Sequence, residues 1–326
     1  MGPNIWVCGL NRNGQLGDNH EEENQWTPKL IPFNAKSIAA GYASTYLIDS
    51  DDHVWSCGEN VLGKLGLGDR EDRAIPTRIP NIKARQIAVG QWHTFLIDLE
   101  SNLWFMGGNR YSELGSEYDG EYLIPLLIPG IQTQFVTASG NSTLVIDLDN
   151  KIHLFNLEYS IDPSFRAKSA AIGKCHLLLI DLQDQVWVIG MNQYGQLGLG
   201  DKTPRKELTM ITALKAKTVE AGTFHSLVID LEENLWIFGT NLFGGPSETL
   251  ISPTIVPGLK VTEINSKTGN NVLIDIDNNI WTWGLNGYGQ LGIGRENCKA
   301  RPVQIPNLKA CQAVVGDFHT VIIEKR

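Results

Sequence analysis

Apolar residues along this chain fall in short runs of four to six, and polar, glycine-rich punctuation follows each run. In "TFLIDLESNLWFMGG" and "SLVIDLEENLWIFG" an apolar stretch ends in an acid, a polar turn follows, and a second apolar stretch carries a tryptophan. Such runs are too short for ordinary helices and match two strands joined as a β-hairpin. The hairpin recurs. The pattern Trp-x-x-Gly begins at Trp6, Trp55, Trp104, Trp187, Trp236 and Trp281, and a worn copy, "HLFNL", puts Leu154 at the tryptophan position. Successive steps are 49, 49, 50, 33, 49 and 45 residues. A second pattern, a glycine, a short turn and an apolar strand ending in Asp or Glu, begins at Gly41, Gly90, Gly140, Gly173, Gly222, Gly269 and Gly316. The first five of these glycines each lie 14 residues before the next Trp or Leu154. A fixed phase between two signatures marks a repeat architecture.

Ahead of each second pattern lies another strand rich in proline, as in "IPTRIPNIKARQIAVG" and "RPVQIPNLKACQAVVG". Proline cannot donate to a ladder and suits an outer strand. Each unit then holds about four short strands, the content of one propeller blade. The N-terminus supplies a Trp segment with no hairpin partner before it, and the C-terminus supplies "VVGDFHTVIIE" with no Trp segment after it. Each end lacks what the other has, so a strand near residues 4–8 is expected to pair with one near 320–324 and close the ring. The expectation is an all-β, seven-bladed β-propeller of four-stranded blades, a single domain over residues 1–326. The unit from Leu154 to Gly173 is about 16 residues short. It reads either as repeat decay or as a notch that admits a partner.

Composition narrows the function classes. A net charge of −9, with no cluster of Lys and Arg, lacks the footprint of a nucleic-acid binder. No apolar run approaches the roughly 20 residues of a transmembrane helix, and "MGPNIWVCGL" does not resemble a signal peptide, so a cytoplasmic protein is expected. Cys8, Cys57, Cys175, Cys298 and Cys311 are scattered and odd in number, and they read as reduced, buried thiols.

The segment "WTWGLNGYGQLGIG", from Trp281 to Gly294, has the glycine density of a phosphate cradle. It lacks the Gly-Lys-Ser/Thr continuation of a Walker loop and sits in no βαβ unit. With its copies "NRNGQLG", "NVLGKLG", "NRYSELG" and "NQYGQLG" it reads as a mechanical turn whose Leu points inward. Asp49, Asp98, Asp147, Asp181, Asp230 and Asp275 read as turn residues rather than as a metal or catalytic array. The repeated tryptophans read as core residues between blades. His93, His176, His225 and His319 share one repeat position and read as architectural, bonding backbone inside each blade. No catalytic residue, metal site or cofactor is expected.

"VWSCGENVLGKLGLGD" and "AVGQWHTFLIDLESNLWFMGGN" together resemble the repeats of the regulator of chromosome condensation family, over essentially the whole chain. That resemblance implies a seven-bladed propeller. It also implies a guanine-nucleotide exchange factor for a Ran-like or other small GTPase, a role that includes pathogen effectors acting on a host GTPase in the host cytosol. The alternative is a non-catalytic scaffold or inhibitory module using the same face. In the exchange factors GTPase contact comes largely from the loops matching the Gly-x-x-His turns. Carried onto this chain, the partner-binding candidates are Gln91, Trp92, His93, Asn141, Lys174, Phe224, Asp317 and Phe318. The expected partner is a small GTPase or another protein, met by a monomer, without nucleic acid. The chain departs from the exchange factors in having no inserted wedge after Trp104 and no basic tail, which weighs against chromatin binding and puts exchange activity in question.

Overall fold

The computed structural model describes residues 3–19, 22–115, 118–157, 159–240, 249–296 and 298–325. Twenty-three strands and one short 3-10 turn make up its regular structure, with no α-helix among the described residues. Seven antiparallel sheets follow one another along the chain. Blade 1 shows the plan, with Ser37–Ala40 innermost, then Ser44–Ile48, His53–Gly58 and Arg73–Lys83 outward. Blades 2, 4, 5 and 6 repeat it in chain order. Four long strands, Glu121–Ser139, Arg205–Ala221, Leu250–Lys267 and Lys299–Val315, are each the outer strand of one blade and then the inner strand of the next.

Blade 7 is composite, as the chain ends require. Asn4–Leu10 lies beside His319–Glu324 with Ile5 opposite Ile323 and Cys8 opposite Thr320, and Asn24–Asn34 completes the sheet. Blade 3 departs from the four-strand plan. Among the described residues it ends at the edge strand Ile152–Phe155, and the short stretch 156–166 before the next blade forms no outer strand. Leu157, Tyr159, Ile161 and Phe165 pack partly buried against the cluster between blades 3 and 4. Apolar side chains of this chain thus occupy the space of the missing strand, which fits decay with local repair better than an open notch.

Each core cluster lies between two blades, because strand alternation turns apolar residues to both faces of every sheet. Val54 and Leu96, from blades 1 and 2, share one such cluster. The inner strands leave a row of backbone groups facing the central channel, and burying them unpaired would be costly. Polar side chains meet that demand by reaching the neighbouring inner strand. Gln86 Nε2 donates to Val136 O at 3.0 Å, and Ile38 N and Val315 N donate to Gln312 Oε1 and Asn265 Oδ1 at 3.0 and 2.8 Å.

The strand-end acids are turn residues, with one further duty. Asp98 Oδ1 accepts from the amides of Glu100 and Asn102, and its Oδ2 accepts Trp104 Nε1–H at 2.8 Å. Asp49, Asp181, Asp230 and Asp275 hold Trp55, Trp187, Trp236 and Trp281 in the same way. In blade 3 His153 replaces the indole on Asp147, and in blade 7 Glu324 takes the place of the acid beside Trp6. This corrects the expectation for the tryptophans. All six repeat copies are only partly buried, leaning on the cluster shared with the preceding blade while the indole N–H is tied to the turn. A side chain with a polar edge settles where one end is apolar and the other wet. Trp187→Ala should therefore cost roughly 2–3 kcal/mol, below the 3–5 of a fully buried aromatic. Urea denaturation measures it, and an unshifted midpoint would exclude the placement.

The cysteines also divide. Cys8 and Cys57 are buried, with burial pushing both thiols up to about 12, whereas Cys175, Cys298 and Cys311 are exposed. The reading of five buried thiols thus holds for two.

Candidate functional site: the loop face and its basin

In an antiparallel blade the turn after the first strand and the loop after the third emerge on the same side. The seven glycine turns and the Asn-x-x-Gly loops therefore share one face. Glycine is required at the turn starts Gly41, Gly90, Gly173, Gly222 and Gly316, where a neighbouring side chain or carbonyl crosses the backbone closely. A Cβ at Gly90 would lie 2.2 Å from His93 Cε1. At the end of Trp-x-x-Gly, Gly107 has φ of 105°, and a Cβ there would lie 2.4 Å from Trp92 O.

The loops after the third strands spend their donors internally. Asn60 Oδ1 accepts from Leu65 N at 2.9 Å while its Nδ2 donates to Asp69 O at 3.0 Å, and Asn192 and Asn286 repeat the arrangement. Gln196 Oε1 and Gln290 Oε1 cap the amides of Tyr194 and Tyr288. Leu16, Leu65, Leu114, Leu197 and Leu291 are buried at the centre of each loop. The segment from Trp281 to Gly294 is thus a self-satisfied turn, and its amides are not arrayed for a phosphate.

All seven glycine turns border one basin of about 640 Å³ at the mouth of the channel. Tyr42, Gln91, Asn141, Lys174, Phe224, Thr268 and Asp317 supply one wall residue from each blade in turn. Five of the eight candidates, Gln91, Asn141, Lys174, Phe224 and Asp317, therefore line a single concave surface. Trp92 and Phe318 stand beside it in an aromatic cluster. Tyr42 lies 6.0 Å from Trp92 and 5.1 Å from Phe318 between ring centroids, and Phe318 lies 5.6 Å from Tyr288. Beneath them the Lys64 ammonium, fully buried, lies 5.9 Å from the Tyr42 ring and 5.7 Å from that of Trp92, paired with Glu59 at 2.6 Å. A second aromatic pair, Tyr194 and Phe224, sits at 4.5 Å on the basin's other side.

His93 is the exception among the candidates, being fully buried and out of a partner's reach. Its Nε2 meets Thr143 Oγ1 of the next blade at 2.8 Å. His176, His225 and His319 meet Ser226, Asn271 and Thr45 in the same way, each across a blade boundary. The histidines are architectural, but they join blades through side chains rather than bonding backbone within one. Burial holds His93, His176 and His319 neutral, down to about 3, and lowers His225 as well.

Two residues, Ser139 and Lys267, line both the basin and the space below it. Lys267, from blade 6, crosses the channel and donates to Val89 O at 2.6 Å and Ala138 O at 3.1 Å on blades 2 and 3. With Ser139 it lies between the basin and a lower cavity of about 330 Å³ lined by the inner strands. Burial lowers the Lys267 ammonium, opposed by the Asp317 and Glu220 charges. Burial raises the Asp317 carboxyl, with Lys267 and a 2.8 Å bond from Thr268 Oγ1 acting against it. Asp49, Asp51 and His53 come within 4.8 Å of one another on the opposite face, but Asp49 already accepts Trp55 and two backbone amides, so they make a turn.

Sequence reasoning missed Tyr42, Tyr288, Lys64 and Lys267. Tyr42 follows Gly41 in the slot that Gln91 and Asp317 fill after Gly90 and Gly316, a signal that would have found it. Nothing in the sequence marks Lys267, because its contacts are 129 and 178 residues away.

A ring of repeats presenting one concave, aromatic-flanked face defines a β-propeller built from repeats of about 50 residues. The model of the regulator of chromosome condensation (RCC1) repeat matches residues 4–48, 51–97, 183–229 and 277–323, more than half of the sequence, and the chain belongs to this family. The structure is similar to that of human WBSCR16, at 18% identity and a TM-score of 0.86, covering 100% of this chain and 99% of that one. It is also similar to yeast RCC1 (Prp20) in a structure with Kap60 bound, at 18% identity and 0.87, covering 100% and 90%. A Saccharomyces cerevisiae Prp20p structure described with its binding properties to Gsp1p and histones gives 17% and 0.87, covering 100% and 93%. At such identities the likeness concerns the fold alone. No curated protein matches the sequence. Among the described residues no helix is long and apolar enough to cross a membrane.

Proposed function

We propose that the loop face docks a small GTPase of the Ran type and that the protein acts as its guanine-nucleotide exchange factor, as one monomeric propeller unit in the cytosol. The observation that carries this reading is the convergence of all seven turns on one basin beside the cluster of Trp92, Tyr42, Phe318 and Tyr288. Aromatic anchors around a concave patch are the usual composition of a binding hot spot. Family membership and the fold shared with Prp20p, whose structure is described with binding to Gsp1p, support the GTPase class. Exchange breaks no covalent bond. The face would hold the nucleotide-free GTPase more tightly than the loaded one, and that difference in affinity would drive release.

A second reading, a scaffold or inhibitor on the same face, is favoured by the common loop length after Trp104, where the exchange factors carry a wedge. Release of fluorescent GDP across a panel of small GTPases separates the two, because only an exchange factor accelerates it at micromolar concentration. The triple variant W92A, D317A, F318A should stay folded and lose partner affinity by at least about 30-fold, since one hot-spot truncation costs about 2 kcal/mol. Full retention of binding by that variant would exclude the face.

A further inference from the structure

The repair of blade 3 stops short of its sheet edge. In the other six blades the third strand is paired on its outer side with a fourth. In blade 3 the third strand, Ile152–Phe155, ends the sheet and pairs with Ser142–Asp147, placing Val145 opposite His153 and Thr143 opposite Phe155. Bonded and non-bonded pairs alternate along an antiparallel ladder, and the bond from Asp147 N to Lys151 O at 3.0 Å sets the phase. His153 and Phe155 therefore spend their backbone groups inside the blade, while the N–H and C=O of Ile152 and Leu154 point outward. Those four groups have no hydrogen-bond partner among the described residues. The stretch 156–166 brings side chains to the boundary with blade 4, but its described residues pair no backbone with this edge.

Side-chain burial marks the same gap. Ile152 is only partly buried, although its six counterparts, Ile5, Val54, Leu103, Val186, Leu235 and Ile280, are completely buried. Leu154 is partly buried too, where Val7, Phe105 and Val188 are sealed. What seals the counterparts is the outer strand. Ile31 stands opposite Ile5 and Ile128 opposite Leu103, both buried, and Ile79, Ile211 and Ile305 repeat the placement in blades 1, 4 and 6. The unpaired groups state what fits the edge. Donors and acceptors recurring every second residue match an extended backbone, and a helix offers no such outward row. Because blades 2 and 4 carry a fourth strand, this edge lies one strand, about 4.8 Å, inside the rim. A recess of that depth admits one extended chain and holds the folded rim of a second copy away.

We propose that the edge Ile152–Phe155 is a strand-addition site, and that its occupant is an extended segment of a partner protein, which adds antiparallel as the fourth strand of blade 3 and lays an Ile or Val against Ile152. In this mode of recognition main-chain bonds give affinity and alternate side chains give specificity. The edge lies toward the outer wall of the ring and the basin at the channel mouth, so the two surfaces are separate. The inference stands whether or not the loop face proves to exchange nucleotide.

The test uses the whole protein and a fluorescein-labelled peptide copying the blade 4 outer strand, RKELTMITALK, residues 205–215, followed by anisotropy. Wild type should bind it saturably at micromolar concentration and should ignore the same peptide N-methylated at alternate residues on its edge-facing side. Amide exchange followed by NMR should show Ile152 and Leu154 gaining protection with the peptide, while His153 and Phe155 are protected without it. L154P removes an outward N–H that the blade's own ladder does not use, a placement in which proline is tolerated, and should weaken binding at least about tenfold. Should L154P fail to fold, I152K should show the loss instead. The W92A, D317A, F318A variant should bind as wild type does. Unchanged binding by the folded edge variants, equal binding of the N-methylated peptide, no saturable binding below about 1 mM, or a dimer that the edge variants abolish would overturn the proposal.

Discussion

Removing the last ten residues, from Asp317 onward, should leave a chain that does not melt cooperatively as a folded ring. The lost strand, His319–Glu324, is sandwiched between two others: it pairs with Ile5–Gly9 on one side and with residues 310–315 on the other. Val321, Ile322 and Ile323 are all buried. At roughly 1.5–3 kcal/mol for each apolar side chain, their loss alone approaches the 5–15 kcal/mol that separates a folded domain from its unfolded chain. The truncation also removes the His319 contact with Thr45 and the Glu324 contacts with Asn4 and Trp6. Two new sheet edges would be bared, one on each side of the gap, and such edges invite aggregation. Circular dichroism and scanning calorimetry read the outcome. A truncated chain melting within a few degrees of the full one would mean that the composite blade does not hold the ring shut.

Stability should be greatest near pH 6.5 and decline on both sides, more steeply toward acid. His93, His176 and His319 titrate at about 3 in the folded protein against a usual 6.5. As pH falls below 6.5 the unfolded chain takes up protons that the folded one refuses, so each ring removes about 1.4 kcal/mol per pH unit. His225 acts in the same direction. Two channel carboxyls oppose them. Burial raises Glu220 to about 8 and Glu263 to about 7 from a usual 4.5, so each gives stability that is complete below 4.5 and lost as pH rises through those values. Asp317, also raised by burial, adds to the opposition. Between 6.5 and 4.5 the histidines exceed the two glutamates by about one proton, or roughly 3 kcal/mol over the interval. Below 4.5 the opposition from the glutamates ends, and the turn acids Asp49, Asp98, Asp147, Asp230 and Asp275, all held below their usual value, add to the loss. Urea midpoints from pH 4 to 8 test this, and the variant E220Q, E263Q should flatten the alkaline side. A midpoint that stays level down to pH 4.5 would contradict the sealed, neutral histidines.

The local grammar of the fold was legible residue by residue. Asp98 and its equivalents were readable as turn acids because their partners lie two and four residues away. The Asn-x-x-Gly loops were readable as mechanical because their bonds close within ten residues. The closing strand pair, though 318 residues apart, was readable because the repeat left one half-unit at each end. What failed to show was set by distance across the ring. His93 read both as an architectural residue and as a partner-binding candidate, and the roughly 50-residue step to Thr143 that seals it depends on how blades pack side by side. The tryptophans read as core until the structure put each indole N–H on a turn acid at the rim.

By itself, then, the sequence determined the repeat number, the hairpins, the turn chemistry and the closure of the circle, because each follows from a residue and neighbours inside one repeat or its exact copy. The tertiary structure alone decided what faces what: the basin assembled from seven separate turns, Lys267 spanning the channel, and Tyr42 and Tyr288 joining Trp92 and Phe318. Those groups meet only because closing a ring brings equivalent positions of different repeats onto one surface, and the period of a pattern carries no information about which side chains then touch.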